Sequence, residues 1–369
     1  MLTSLEFPFR YIQGTGALKS SLTAQISSYG QKVFVVYDAV AEKKIPDQIH
    51  GIDTSIFSVK RHRSSGACTL HEINRIRQSA QACQMDCIVG LGGVQLLDAV
   101  KVVANELGLP TILVPIPIAS ESTSSNISIV YSPDGGVERY ISLKKCPDVI
   151  LVDLCLIIGS PVRYLVSAMG SALAIWFEAE IIRKTGDVRR DGFSPSVIAY
   201  DLAWLCYEKL LEYGPQAKLD YEANQKTEAL EHIVETSTVL SGICFSNYGL
   251  AAPHAIYNGL TKQQETLGTS HGEKLAFGTL VSLYISNTPV DIIKDFFSFC
   301  ASVGLPTTLK DIGIDGNSNA ALARIAKHAC STTQVVPDAH FSIDPATVIE
   351  ALRQADHDGS KHSHAKQSS

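Results

Sequence analysis

The chain predicts an α/β domain built on a parallel sheet, followed by an all-helical domain. Three observations carry this. Over the first 150 residues, short β-branched runs alternate with helical patterns, the signature of stacked βαβ units. After Val149-Ile150-Leu151-Val152-Asp153 the strand signals stop and long stretches of helical period take over. A hydrophobic content of 45% over 369 residues is enough for two packed cores. The expected division is therefore 1–155 for the α/β domain and 156–355 for the helical domain. Residues 356–369, rich in His, Lys and Ser without apolar periodicity, are expected to form a disordered tail.

The first clear strand is Val33-Phe34-Val35-Val36-Tyr37, made entirely of β-branched and aromatic residues. Ser55-Ile56-Phe57-Ser58-Val59, Cys87-Ile88-Val89-Gly90 and Thr111-Ile112-Leu113-Val114-Pro115 follow, with room between them for helices over about 41–50, 68–84 and 95–107. Asp134-Gly135 supplies the positive φ that a hairpin turn favours, so Ser128–Tyr131 and Val137–Tyr140 are expected to pair. Pro161 suits a first helical turn, and Leu165, Met169, Ala172, Leu173, Trp176 and Ala179 give that helix a buried stripe. Further helices are expected over about 196–212, 223–245, 249–261, 272–286, 289–302, 316–330 and 346–356.

A formal charge of −6 and a pI near 6.0 exclude a general nucleic-acid-binding surface. The two short basic clusters, Lys60-Arg61-His62-Arg63 and Arg189-Arg190, read as solvated faces. Nine cysteines without a CxxC pair read as reduced thiols, with no disulfide framework. There is no leader pattern at the N-terminus, and no apolar run is expected to reach the roughly 18 residues of a membrane span. A cytoplasmic protein acting on a small-molecule substrate, with no nucleic-acid or membrane partner, is the expectation.

Ala252-Pro253-His254-Ala255-Ile256-Tyr257-Asn258-Gly259 and Ser270-His271-Gly272-Glu273-Lys274-Leu275-Ala276-Phe277-Gly278 set two histidines close together in a helical region, without zinc-finger spacing. With them come Tyr11-Ile12-Gln13-Gly14, Val114-Pro115, the Tyr131 hairpin, Pro147–Asp153, Trp176-Phe177-Glu178-Ala179 and Leu240-Ser241-Gly242. In this order the motifs resemble the metal-dependent branch of the iron-containing alcohol dehydrogenase superfamily, over nearly the whole chain. The resemblance implies a Rossmann-like nucleotide-binding domain, a helical domain, an active-site cleft between them and a homo-oligomer. It also implies NAD and a zinc or iron ion that polarises the substrate hydroxyl.

A dinucleotide cradle needs glycines after a strand, so that backbone N–H groups and a helix start can approach the pyrophosphate. Gly92 and Gly93 occupy that place, with Asp98 further on and Asp38 after the Val33–Tyr37 strand, where the family holds the adenine ribose. The family's next residues are glycine, lysine and threonine. Here they are Val94, Gln95 and Leu96, which add a branched side chain and remove a cation and a hydroxyl. Ile116 replaces a threonine that the resemblance puts near the cofactor. Two readings stand: weakened NAD binding, or a glycine turn that no longer holds a ligand.

His254 and His271 match the family's metal ligands, but the third, an aspartate, is replaced by Ser171 in Ala168-Met169-Gly170-Ser171-Ala172-Leu173-Ala174. Two imidazoles and a hydroxyl are a poor match for a +2 ion. Glu121 aligns with a family aspartate that contacts substrate, and either reaches a metal or forms an acid–base pocket with His254 and His271. Tyr257 stands where the family often has another histidine, and Glu273 with Lys274 reads as an exposed ion pair.

Three functions follow from this set. The altered motifs favour a repurposed enzyme that uses Glu121, His254 and His271 for proton transfer in isomerisation, elimination or cyclisation. The bulk resemblance favours an NAD- and metal-dependent alcohol or polyol dehydrogenase. A non-catalytic binding protein is the third.

Overall fold

The computed structural model of the chain describes residues 2–118, 120–186, 192–331 and 343–367. They form two compact units, neither of which is one continuous stretch. Glu6–Tyr164 and Asp220–Ser246 make the α/β unit, while Met1–Leu5, Leu165–Leu219 and Asn247–Ser369 make the helical unit. A single cut near residue 155 therefore does not describe the division.

The strands in chain order are β1 (Thr3–Ser4), β2 (Arg10–Gly14), β3 (Lys32–Tyr37), β4 (Ser58–Arg63), β5 (Cys87–Gly92), β6 (Thr111–Pro115), β7 (Ile127–Tyr131), β8 (Val137–Ser142), β9 (Val149–Asp153) and β10 (Ser194–Pro195). Six of them build the sheet of the α/β unit, in the order β2-β9-β6-β5-β3-β4 and all parallel. Val33, Phe34, Val35 and Val36 of β3 are fully buried, as expected of a strand covered on both faces. β7 and β8 form the expected antiparallel hairpin, with an irregularity at Val130/Tyr131.

The strand expected over 55–59 lies three residues later, because Asp53 folds the preceding segment into a turn by accepting the Ser55 backbone N–H at 2.8 Å. The basic run Lys60–Arg63 thereby becomes part of edge strand β4. Arg63 pairs with Glu42 at 2.7 Å and Arg61 Nε donates to the Ile49 carbonyl, an edge whose charge discourages further strand pairing. The other basic pair, Arg189-Arg190, lies outside the described residues.

In the α/β unit the expected 223–245 helix is interrupted. Glu228–Glu235 leads into a π-helical turn, Thr236–Leu240, before the helix resumes at Ser241. The helical unit contains the buried Arg163–Thr185 helix, together with Ala252–Thr261, His271–Ile285, Val290–Val303, Asn319–Ser331 and Pro345–Gln367. Contrary to expectation, Arg163–Thr185 is long and apolar enough to cross a bilayer by length and composition. However, 83% of its most apolar window is buried in the fold, which makes it a core helix. The Pro345–Gln367 helix also runs through the segment read as a disordered tail. Val348, Ala351, Leu352 and Ala355 anchor it, and Asp356 accepts the Leu309 N–H at 2.7 Å. All nine cysteines are free thiols.

Candidate functional site: a buried histidine centre and a glycine turn

The Ala252–Thr261 helix begins after Ala251, which has no side chain able to cap it. Glu178, projecting from the Arg163–Thr185 helix, takes over that task. Its Oε1 accepts the backbone N–H of Ala251 at 3.1 Å and of His254 at 3.2 Å, placing a carboxylate at a helix N-terminus where the dipole favours it. The same oxygen lies 2.8 Å from His254 Nδ1. Both side chains are buried, at 0% and 1% exposure. A carboxylate on Nδ1 fixes the proton there and leaves Nε2 as the nitrogen with a lone pair. In the sequence Glu178 stands out only as part of the Trp176-Phe177-Glu178-Ala179 motif, and its contact with His254 comes from the structure.

His271 opens the His271–Ile285 helix, whose N-cap is Ser270. Ser270 and Glu273 form a reciprocal capping box, with Ser270 N–H donating to Glu273 at 2.6 Å. Glu273 is thus a capping residue and Lys274 is buried, so the expected exposed Glu273–Lys274 ion pair is not formed. The His271 ring packs edge-on against Tyr257 at 4.6 Å between centroids and lies 6.2 Å from the His254 ring. The helical unit therefore brings the two predicted histidines together.

Gly272 makes this arrangement possible. A Cβ there would sit 1.7 Å from the Ser167 carbonyl oxygen, and one on Gly170 would sit 2.5 Å from the Gly272 carbonyl. The Arg163–Thr185 helix thus crosses close to His271 at Gly170, next to Ser171. Ser171 lies two helical turns before Glu178 on the same face. It is 1% exposed, and its Oγ has no hydrogen-bond partner among the described residues. A buried orphan hydroxyl is the kind of atom that a bound ligand or water satisfies.

The donor set of this unit fits the histidine side of a divalent-metal site. His254 has the outer carboxylate that metal-bound histidines usually carry, and His271 is the second imidazole. Ser171 contributes no charge. Ser171→Asp is therefore expected to tighten zinc binding by roughly tenfold or more, about 1.4 kcal/mol per decade. A competition titration against a zinc-chelating dye measures this, and an unchanged affinity would show that Ser171 does not face the centre.

In the α/β unit, β5 ends at Gly92 (φ +153°), and a Cβ at that position would lie 2.3 Å from Asp38 Oδ2. Glycine is needed there because Asp38 comes so close. Asp38 Oδ2 accepts the Gly93 N–H at 2.8 Å, and Oδ1 accepts the N–H groups of Val40 and Ala41, both at 2.9 Å. The carboxylate read as a ribose ligand thus ties the glycine turn to the helix that follows β3. The Val94–Leu107 helix starts after Gly93 without a side-chain cap, so its first amides fit a dinucleotide phosphate through backbone donors. Gln95, exposed at that start, adds no cation.

Three expected cofactor positions are corrected. Leu96 is fully buried in the core with Phe34, Ile88 and Val100, so its side chain replaces no phosphate contact. Asp98 is 1% exposed and paired at 3.0 Å with Lys101, itself 1% exposed, which removes Asp98 from the cofactor set. Burial pushes the Asp98 carboxyl up, and the neighbouring ammonium pulls it back down. Ile116, taken as lying near the cofactor, is likewise fully buried, in the core on the other face of the sheet.

Lys101 Nζ also donates to the carbonyls of Ser122 and Ile127, clamping the segment that follows Glu121. Glu121 itself is fully buried in the α/β unit, as the first residue of the short Glu121–Ser124 helix.

Comparison with known proteins places these features. Residues 8–154 match the model of the family described as iron-containing alcohol dehydrogenase. A glycerol dehydrogenase from Thermotoga maritima is 40% identical over 97% of this chain and 98% of its own length. A glycolaldehyde reductase from Halobacterium salinarum is 32% identical over 97% and 98%. The crystal structure of a probable glycerol dehydrogenase from Sinorhizobium meliloti superposes with a TM-score of 0.90 at 32% identity, covering 97% of this chain and 99% of that one. With its parallel sheet, glycine turn and paired helical histidines, the chain belongs to the iron-containing alcohol dehydrogenase family.

Proposed function

We propose that the chain is a nicotinamide-linked oxidoreductase that interconverts a small hydroxy compound and its carbonyl. The observation that carries this is the His254–Glu178 hydrogen bond beside His271, kept in a chain whose relatives include a glycerol dehydrogenase and a glycolaldehyde reductase. Glu178 holds the His254 proton at Nδ1, so Nε2 is the basic atom of that ring. His271, less buried and packed on Tyr257, is the second imidazole able to take or return the hydroxyl proton. A divalent cation held by His254 and His271 would lower the pKa of the substrate hydroxyl. The first amides of the Val94–Leu107 helix would hold the dinucleotide phosphate.

The test is NAD(P)+-linked oxidation of glycerol and NAD(P)H-linked reduction of glycolaldehyde, with and without added zinc, followed through nicotinamide absorbance. Turnover is expected in the wild type, with a loss of roughly 10²-fold or more in His271→Ala. Absence of both NADH binding and turnover would replace this reading with a second one, proton transfer without hydride transfer. Ser171, Val94 and Gln95 favour that alternative, because all three depart from the metal- and phosphate-binding residues of the family pattern.

A further inference from the structure

Cys155 is the single exposed thiol of the chain, since six of the other eight cysteines are buried and two are half-buried. It belongs to the turn Leu154–Ile157 that follows β9, and its backbone N–H donates to Asp153 at 2.9 Å. Lys226, 71 positions further on, donates to its sulfur, with Nζ 3.1 Å from Sγ. Lys226 stands between the Val197–Glu222 and Glu228–Glu235 helices, in the stretch 220–246 that returns to the α/β unit. Tyr221 of the same stretch donates to the Ile157 carbonyl at 2.6 Å, so two contacts seat it on one turn. Reactive thiols combine exposure with a neighbouring cation, and Cys155 has both. Burial, by contrast, pushes the thiols of Cys68, Cys87 and Cys300 well up, away from the reactive thiolate form.

We propose that Cys155 and Lys226 form a peroxide-responsive modification site, in which oxidation of the sulfur joins the two side chains through a sulfur–nitrogen bond. First, the Cys155 sulfur attacks one oxygen of hydrogen peroxide. The O–O bond breaks, an S–O bond forms, and the thiol proton leaves with the released oxygen as water. The sulfur is thereby oxidised to a sulfenic acid and the peroxide reduced. Lys226 then gives one proton to solvent, and its neutral amine attacks the sulfur. The S–N bond forms as the S–O bond breaks, and the hydroxyl departs with one amine hydrogen as a second water. The nitrogen already lies against the sulfur, so this second step needs no rearrangement of the backbone. The product ties the 220–246 stretch covalently to the turn that ends the sheet.

Intact-mass measurement and peptide mapping of the purified full chain, after a small excess of hydrogen peroxide, test this on wild type, Cys155→Ser and Lys226→Met. Both side chains are exposed, and a thermal melt confirms that each variant folds. Wild type is expected to lose about 2 Da, to yield a peptide in which Cys155 and Lys226 are joined, and to recover its mass with dithiothreitol. Cys155→Ser should show neither change. Lys226→Met should instead gain roughly 16 Da, as a sulfenic acid at Cys155 that dimedone traps. A mass loss that persists in Lys226→Met, as from a disulfide with another thiol, overturns the proposal. A wild-type Cys155 that stops at oxygen adducts, or that stays unmodified, overturns it as well.

Discussion

Asp98→Ala is expected to destabilise the protein by roughly 3–5 kcal/mol, the cost of leaving a buried charge without its partner. The ammonium of Lys101 would remain buried among carbonyls with no carboxylate to neutralise it, and the Ile129 N–H would lose its acceptor at 3.3 Å. Urea denaturation reads the effect as a fall in midpoint at constant slope. Combining it with Lys101→Met should recover much of the loss, since replacing both charges with apolar groups is often close to neutral. The recovery should be incomplete, because Lys101 also clamps the Ser122–Ile127 segment. A single-mutant loss below about 1 kcal/mol, the range of exposed pairs, would mean that water reaches this pair.

Glu178→Ala carries the second large effect, and it reaches both stability and the site. One oxygen accepts from two backbone amides and from His254 Nδ1, so the substitution uncaps the Ala252–Thr261 helix and releases the imidazole. A stability loss of at least about 2 kcal/mol is expected from hydrogen bonds to a charged acceptor. A fall of roughly 10–100-fold in metal affinity or turnover is expected from losing the group that orients the histidine. Glu178→Gln keeps an acceptor oxygen and should recover most of the stability but less of the affinity. Wild-type values for Glu178→Ala in both measurements would remove Glu178 from the site.

The parallel sheet was legible because β3, β5, β6 and β9 are continuous apolar runs, and periodicity reads such runs well. The convergence of His254 and His271 was legible only through family motifs, since nothing in their spacing alone brings two helices together. Leu96, Asp98 and Ile116 were misjudged because alignment to a cofactor motif says which position is occupied, not which way the side chain turns. Helical phase puts Leu96 and Val100 on one buried stripe, and Asp98 three residues before Lys101 is an ion-pair spacing. Both signals were present. The same is true of Ser270-x-x-Glu273, a capping-box pattern that would have separated Glu273 from Lys274. Glu178 was harder to find, because its partners lie more than seventy positions away in sequence.

The division of the chain bears on how the protein is made. The segment 220–246 belongs to the α/β unit, stitched to it by Tyr221 on the Ile157 carbonyl at 2.6 Å and by Ser246 Oγ on the Asn126 N–H at 3.1 Å. During synthesis, a ribosome that has delivered the last strand of the sheet must translate the first helices of the other unit before that segment emerges. The nascent α/β unit spends this interval without Tyr221 and Ser246, with the Ile157 carbonyl and the Asn126 N–H left to water. Excised at residue 155, the unit would lack Ile157, Tyr221 and Ser246 permanently and leave the Asn126 N–H to water, so a truncated expression product should aggregate or depend on chaperones instead of folding as an autonomous module.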